Sequence, residues 1–209
     1  QIVLQMHYDL LAGTGPDTSG VRLALAAPGE KRAALRTMLM PAPVELPCTA
    51  SESGPLCDRA LALEDLEKRF GREARGTVGG LQLLCGGDMY QPKASSTQEC
   101  VRPVTSRMTI HAVAGHMHLL GRSISLDLLR ASGERTLLDI PQWDFDDQGA
   151  RRLDAPVTVG PGDELRVRCT WDAGLRAQLP ALRDRPARYV TWGEGTSDEM
   201  CLAILTVSS

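Results

Sequence analysis

The sequence predicts an all-β fold: an antiparallel jelly-roll β-sandwich with one short helical insertion. Most of the chain reads as short segments in which apolar and polar residues alternate, with Gly- and Pro-containing turn signals between them. In one stretch only, the apolar period lengthens from two to about 3.6. The 209 residues, 43% of them apolar, suffice to bury a sizeable core. With aromatics at 4%, that core must rest on Leu, Val, Ala and Met.

The first alternating run after the N-terminus is residues 21–26, which turns at Pro28-Gly29-Glu30. Residues 37–40 predict a strand before Pro41-Ala42-Pro43, and a Ser/Gly/Pro loop lies between Cys48 and Cys57. The period then changes. Leu61, Leu63, Leu66 and Phe70 recur among charged residues from Asp58 onward, and Gly71 supplies a stop, which places the helical insert at about 58–72. Residues 86–98 are polar and Gly/Ser-rich and predict a surface loop. Strands resume at 108–120, 123–130, 136–140, 157–159, 164–171 and 199–207. Ser132-Gly133 and Pro161-Gly162-Asp163 are among the turns between them.

Composition narrows the partners. Net charge is −3 with both signs interleaved, and the lack of a basic stripe argues against nucleic acid. No apolar run nears the roughly 20 residues that cross a bilayer, so no membrane span is expected. None of the six cysteines forms a CxxC pair, which argues against a zinc knuckle. An even count at wide spacing suits disulfides in a secreted or otherwise extracytoplasmic protein. Six cysteines allow about 15 pairings; among these, Cys48–Cys57 and Cys85–Cys100 would each close a short loop.

Two motifs carry chemistry. In a strand, alternate side chains share a face, so His116 and His118 of His116-Met117-His118 point the same way, beside the small Ala112 and Ala114. Two imidazoles at i and i+2 make a metal chelate; the bland alternative is a satisfied or surface pair. His111 falls on the opposite face with Val113 and reads as structural. The second motif is Gly195-Thr196-Ser197-Asp198-Glu199-Met200-Cys201. A Cys169–Cys201 disulfide would tie two core-facing positions and leave Met200 projecting from the other side of its strand. Elsewhere a methionine is usually a core gap-filler, but a thioether with two imidazoles suits copper far better than zinc, magnesium or calcium. Asp198 and Glu199 are either groups that orient the imidazoles or solvated loop charges.

The segments HMHLLGR (116–122), PVTVGPGDELRVRC (156–169) and GTSDEMC (195–201) resemble the C-terminal copper domain of the copper type II, ascorbate-dependent monooxygenases. This is the family of dopamine β-monooxygenase and peptidylglycine α-hydroxylating monooxygenase. The segment VLQMHY (3–8) is similar to the strand that closes the family's first copper domain. The resemblance implies that His116, His118 and Met200 hold the copper at which O2 reacts. It also implies that Cys169 pairs with Cys201, that His7 is one ligand of a second, electron-transfer copper, and that Gln5 lies on the route between the two. Ascorbate would be the reductant and a small molecule the substrate. Residues 1–12 would then be the last strand of a preceding, missing copper domain or a linker, and 13–209 the C-terminal copper-binding β-sandwich. One copper is expected per chain as it stands, and two in a full-length enzyme.

The chain departs from the family in two places. The adjacent His-His pair that completes the electron-transfer site is absent, which leaves His7 an orphan ligand. Where the peptide-amidating members hold a peptide carboxylate with Arg, Asn and Tyr, this chain has Ala114, Leu202 and Ile204. Arginine is the bidentate partner of a carboxylate and alanine cannot replace it. The expected reaction is therefore hydroxylation of an apolar C–H bond rather than of peptidylglycine. The alternative is a secreted one-copper carrier that binds the metal and takes up no oxygen with ascorbate. A cupin-like iron or zinc site ranks below both, because no histidine follows His118.

Overall fold

The structure is a computed structural model that describes residue 13 and residues 15–209. It divides into two compact units, one up to Arg32 and one from Ala33 to Ser209. In the first unit the described residues form no helix or strand, and the Glu30 N–H closes a turn onto the Ala27 carbonyl at 3.0 Å. The strand expected at 21–26 does not form. Alternation makes a strand only where a partner and a buried face exist, and Val21, Leu23 and Leu25 are all exposed.

The second unit holds ten strands, two α-helices and two short 3-10 turns. The strands and α-helices are β1 (Arg36–Pro41), β2 (Glu45–Leu46), α1 (Arg59–Phe70), α2 (Arg72–Leu84), β3 (Thr97–Pro103), β4 (Met108–His116), β5 (Gly121–Arg130), β6 (Gly133–Ile140), β7 (Arg151–Val159), β8 (Glu164–Trp171), β9 (Val190–Thr191) and β10 (Leu202–Ser208). Two four-stranded antiparallel sheets, ordered β1-β10-β4-β7 and β3-β8-β5-β6, face each other, and β2 pairs with β9 separately. The fold class is thus the predicted sandwich with a small helical insertion. Between the sheets lie Met40, Ile110, Val113, Ala203 and Leu205 from one and Ile124, Leu126, Leu138, Leu165 and Val167 from the other. The sheets approach so closely at Gly115 that a Cβ there would lie 2.8 Å from Ile124 Cγ2.

The helical insert is larger than the sequence suggested. α1 has the predicted ends: the Asp58 side chain accepts from the Leu61 N–H at 3.0 Å, and Gly71 at φ 86° ends the helix. A second helix, α2, starts immediately after that break. Its Gly76, Thr77, Gly79 and Gly80 have low helix propensity and hide the periodicity; the burial of Val78, Leu81 and Gln82 against the core is what forms it. β3 was missed for a similar reason, since its polar sequence buries only Cys100 and it is defined by pairing with β8. β4 ends at His116, not at residue 120. All six cysteines are paired, Cys48 with Cys57, Cys85 with Cys100 and Cys169 with Cys201.

Candidate metal centre

His116 is the last residue of β4, opposite Leu202 of β10. The core-facing row beside it is Gly115, Ala203 and Met40, which puts His116 on the outer face of the sheet. His118 lies beyond the strand, because its backbone N–H and that of Leu120 leave the ladder for the carboxylate of Glu199, at 2.8 and 2.6 Å. The two imidazoles nonetheless come together, with centroids 5.2 Å apart and ring planes at 83°. Met200 is buried two residues before the start of β10. Its N–H and that of His118 converge on one oxygen, Glu199 Oε2, at 3.3 and 2.8 Å.

The hydrogen bonds decide which ring nitrogens are free. His118 Nδ1 is 3.1 Å from the carbonyl of Asp198, which only accepts, so Nδ1 donates there. His116 Nδ1 is 2.5 Å from Gln148 Oε1, while Gln148 Nε2 donates to the Phe145 carbonyl at 2.6 Å. That second bond fixes the amide orientation, so His116 also donates through Nδ1 and offers Nε2. Burial pushes the His118 imidazole below its ordinary pKa and favours the neutral form, against the pull of the Asp198 and Gly195 backbone. Trp143 donates its Nε1–H to the His118 carbonyl at 3.1 Å and packs where a side chain on Gly121 would otherwise sit.

Glu199 is fully buried and accepts four N–H groups, the fourth from Trp171 Nε1 at 3.0 Å. Burial pushes its carboxyl up to about 8 against the pull of those donors. Asp198 is buried too, and its carboxylate is paired with Arg69. Neither is a solvated loop charge. Sequence reading placed both near the site, but only burial shows what they do. Gln148 was missed because it lies 30 positions beyond His118 in the β6–β7 loop with no motif around it.

The donor set fits copper: two imidazole Nε2 atoms and a thioether, with borderline and soft character. Among the described residues, no group of three or more His, Cys, Asp and Glu gathers into an alternative metal site. His111 stands apart from this centre. A bulge after Ile110 turns it out of the alternation, and its Nε2 meets Ser208 Oγ at 2.9 Å. Gln5 and His7 lie outside the described residues.

Comparison with known proteins agrees with the geometry. Residues 88–206 match the family model described as copper type II ascorbate-dependent monooxygenase, C-terminal domain. The chain is 32% identical over 123 residues to DBH-like monooxygenase protein 1 of Homo sapiens, covering 56% of this chain and 18% of that protein. The Gallus gallus protein of the same name is 32% identical over 102 residues, covering 48% of this chain and 15% of its own. The chain thus spans less than a fifth of these relatives' length. Among solved structures, dimeric latent PorU from Porphyromonas gingivalis aligns over 56% of this chain and 10% of its own at 10% identity; its TM-score of 0.21 is too low to bear on the fold.

Proposed function

This chain belongs to the copper type II, ascorbate-dependent monooxygenase family, and on that premise we propose that His116, His118 and Met200 hold one copper ion in a domain that hydroxylates an apolar C–H bond. The observation that supports this most is the paired imidazoles. Each Nδ1 faces an acceptor, the two rings lie 5.2 Å apart, and Met200 is buried on the loop that leads into β10. When bound, copper supplies the oxygen and electron-transfer chemistry for which the family is named. The residues of this chain supply the setting. Asp198 and Gln148 keep the Nδ1 protons in place, and Glu199 ties the backbones of His118, Leu120 and Met200 together. Two imidazoles and one thioether would leave a bound copper with positions open for reaction.

The outer face of the sheet at His116 argues for the substrate class. Leu202 and Pro41 share the row of His116, and the next row is Ala114, Ile204 and Leu39. No charged side chain stands in these two rows to receive a carboxylate, and an apolar or aromatic C–H donor fits them. Ascorbate would be the reductant, through a second copper of which His7 is one ligand and Gln5 a neighbour. Three disulfides, with no described helix long and apolar enough to cross a membrane, are compatible with an extracellular protein, and we propose that it is secreted.

The test is copper stoichiometry after reductive loading, for the wild type and for Met200→Ala. About one copper per wild-type chain with clearly weaker binding in the variant is expected. No copper, or equal binding in both, overturns the assignment.

A further inference from the structure

The helical insert reaches the metal loop at one point. Arg69, in the last turn of α1, makes a two-pronged pair with Asp198: Nη1 to Oδ2 at 2.7 Å and Nη2 to Oδ1 at 2.6 Å. Asp65, one turn earlier, accepts from Arg69 Nε at 2.8 Å and from Arg188 Nη1 at 2.9 Å. Arg188 in turn stands 3.8 Å from Asp198. Asp198 and Asp65 therefore alternate with the guanidinium groups of Arg69 and Arg188 in one cluster. The same residue's backbone carbonyl holds His118 Nδ1.

The loop that carries Asp198 is shaped for this docking. A Cβ on Gly195 would fall 2.8 Å from Asp198 Oδ2, 3.1 Å from Phe70 Cζ and 3.3 Å from Arg69 Nη1, so the helix end and the loop touch with no room for a side chain. Within the loop, the Asp198 N–H bonds back to Gly195 and the Gly193 N–H to Glu199. The far end of α1 is anchored independently, where Arg59 pairs with the fully buried Glu45 at 2.6 Å through both Nε and Nη2. α1 is thus held at two separate points, and only its Arg69 end touches the residue that orients His118. Both helices lie outside the residues that match the family model.

We infer that Arg69 is a positioning residue for the metal centre: through Asp198 it sets the carbonyl that fixes the tautomer and orientation of His118, and with it the offset to Met200. This rests on the proposed copper site. Groups one shell outside a metal's ligands commonly change affinity by about 10- to 100-fold. A bidentate Arg–carboxylate pair has the directionality to do so, and lysine restores the charge without the fork.

The experiment compares the wild type with Arg69→Ala, Arg69→Lys and Arg59→Gln, the last loosening α1 at its other end. Two readouts are taken: Cu(I) affinity by chelator competition, and the imidazole nitrogen NMR signals of His118 in metal-free protein. Arg69→Ala is expected to weaken Cu(I) binding about tenfold or more and to lose the single Nδ1–H tautomer, with Arg69→Lys recovering part of both. Arg59→Gln is expected to lower the melting temperature while leaving affinity and tautomer at wild-type values. Unchanged affinity and tautomer in Arg69→Ala overturn the inference, and so do equal losses in Arg69→Ala and Arg59→Gln. A wild-type chain that takes up no copper removes the proposed function. The His118 signals then decide the Arg69–Asp198–His118 coupling alone.

Discussion

Glu199 illustrates how much one side chain can organise. Its two oxygens accept N–H groups from His118, Leu120, Met200 and Trp171; four donors favour the ionised form, with about four lone-pair sites and no donor, against the burial that raises its pKa. Glu199→Gln keeps the shape and replaces one oxygen by an NH2, which must then face at least one of those N–H groups. Each buried donor left unpaired costs about 1–3 kcal/mol. Chemical denaturation of the variant is therefore expected to show a loss of about 1–3 kcal/mol, with weaker copper binding alongside. Stability within about 0.5 kcal/mol of wild type would show that the four bonds do not hold the site together. At the neighbouring position, Asp198, the sequence offered two readings of equal standing. The structure separates them by burying the carboxylate against Arg69.

At the scale of elements, pairing and packing shaped the segments that local pattern could not. β8 alternates cleanly, with Leu165, Val167, Cys169 and Trp171 all buried, and the sequence places both of its ends. β3, β2 and β9 are too short or too polar to announce themselves and exist through their partners. The turn from β7 to β8 is a firmer local device. Asp163 accepts from the Gly160 N–H at 3.0 Å and from Arg130 Nε and Nη2 at 2.9 and 3.0 Å, and the Arg130 bond holds its carboxyl below the usual carboxylate range. A depressed folded pKa contributes stability that is fully present above the unfolded value, about 3.9, and is lost as pH falls through the folded value. The wild type is thus expected to exceed Asp163→Asn in stability by a constant margin above about pH 5. The margin shrinks as pH falls below that. Thermal melts from neutral pH down to about 2 check it, and a margin that persists unchanged in acid would show that this carboxylate is not its source.

For the whole molecule, the proposed copper site would link metal and fold. A site built from β4, the turn after it and the loop before β10 holds its ligands together only in the folded chain, so copper bound there adds to stability by mass action. At about a hundred times the dissociation constant the gain is about 2.7 kcal/mol. For a chain of this size that raises the melting temperature by roughly 5 to 10 °C. A chelator should reverse the shift, and Met200→Ala should shrink it. A melting curve indifferent to copper and chelator would count against the whole assignment.

The sequence by itself determined the properties that depend on local spacing. The alternation of strands, the Gly71 stop of α1 and the His116–His118 pair were legible because period and turn chemistry are written in adjacent residues. The tertiary structure decided everything that joins distant positions. It buried Glu199 among four donors, brought Gln148 to His116, nucleated α2 in a glycine-rich segment, and set Arg69 of the insert against Asp198 of the metal loop, 129 positions away. The reason is physical: burial and hydrogen-bond partnership are relations between elements. A carboxylate flanked by Asp and Met reads the same in a sequence whether water or four N–H groups surround it.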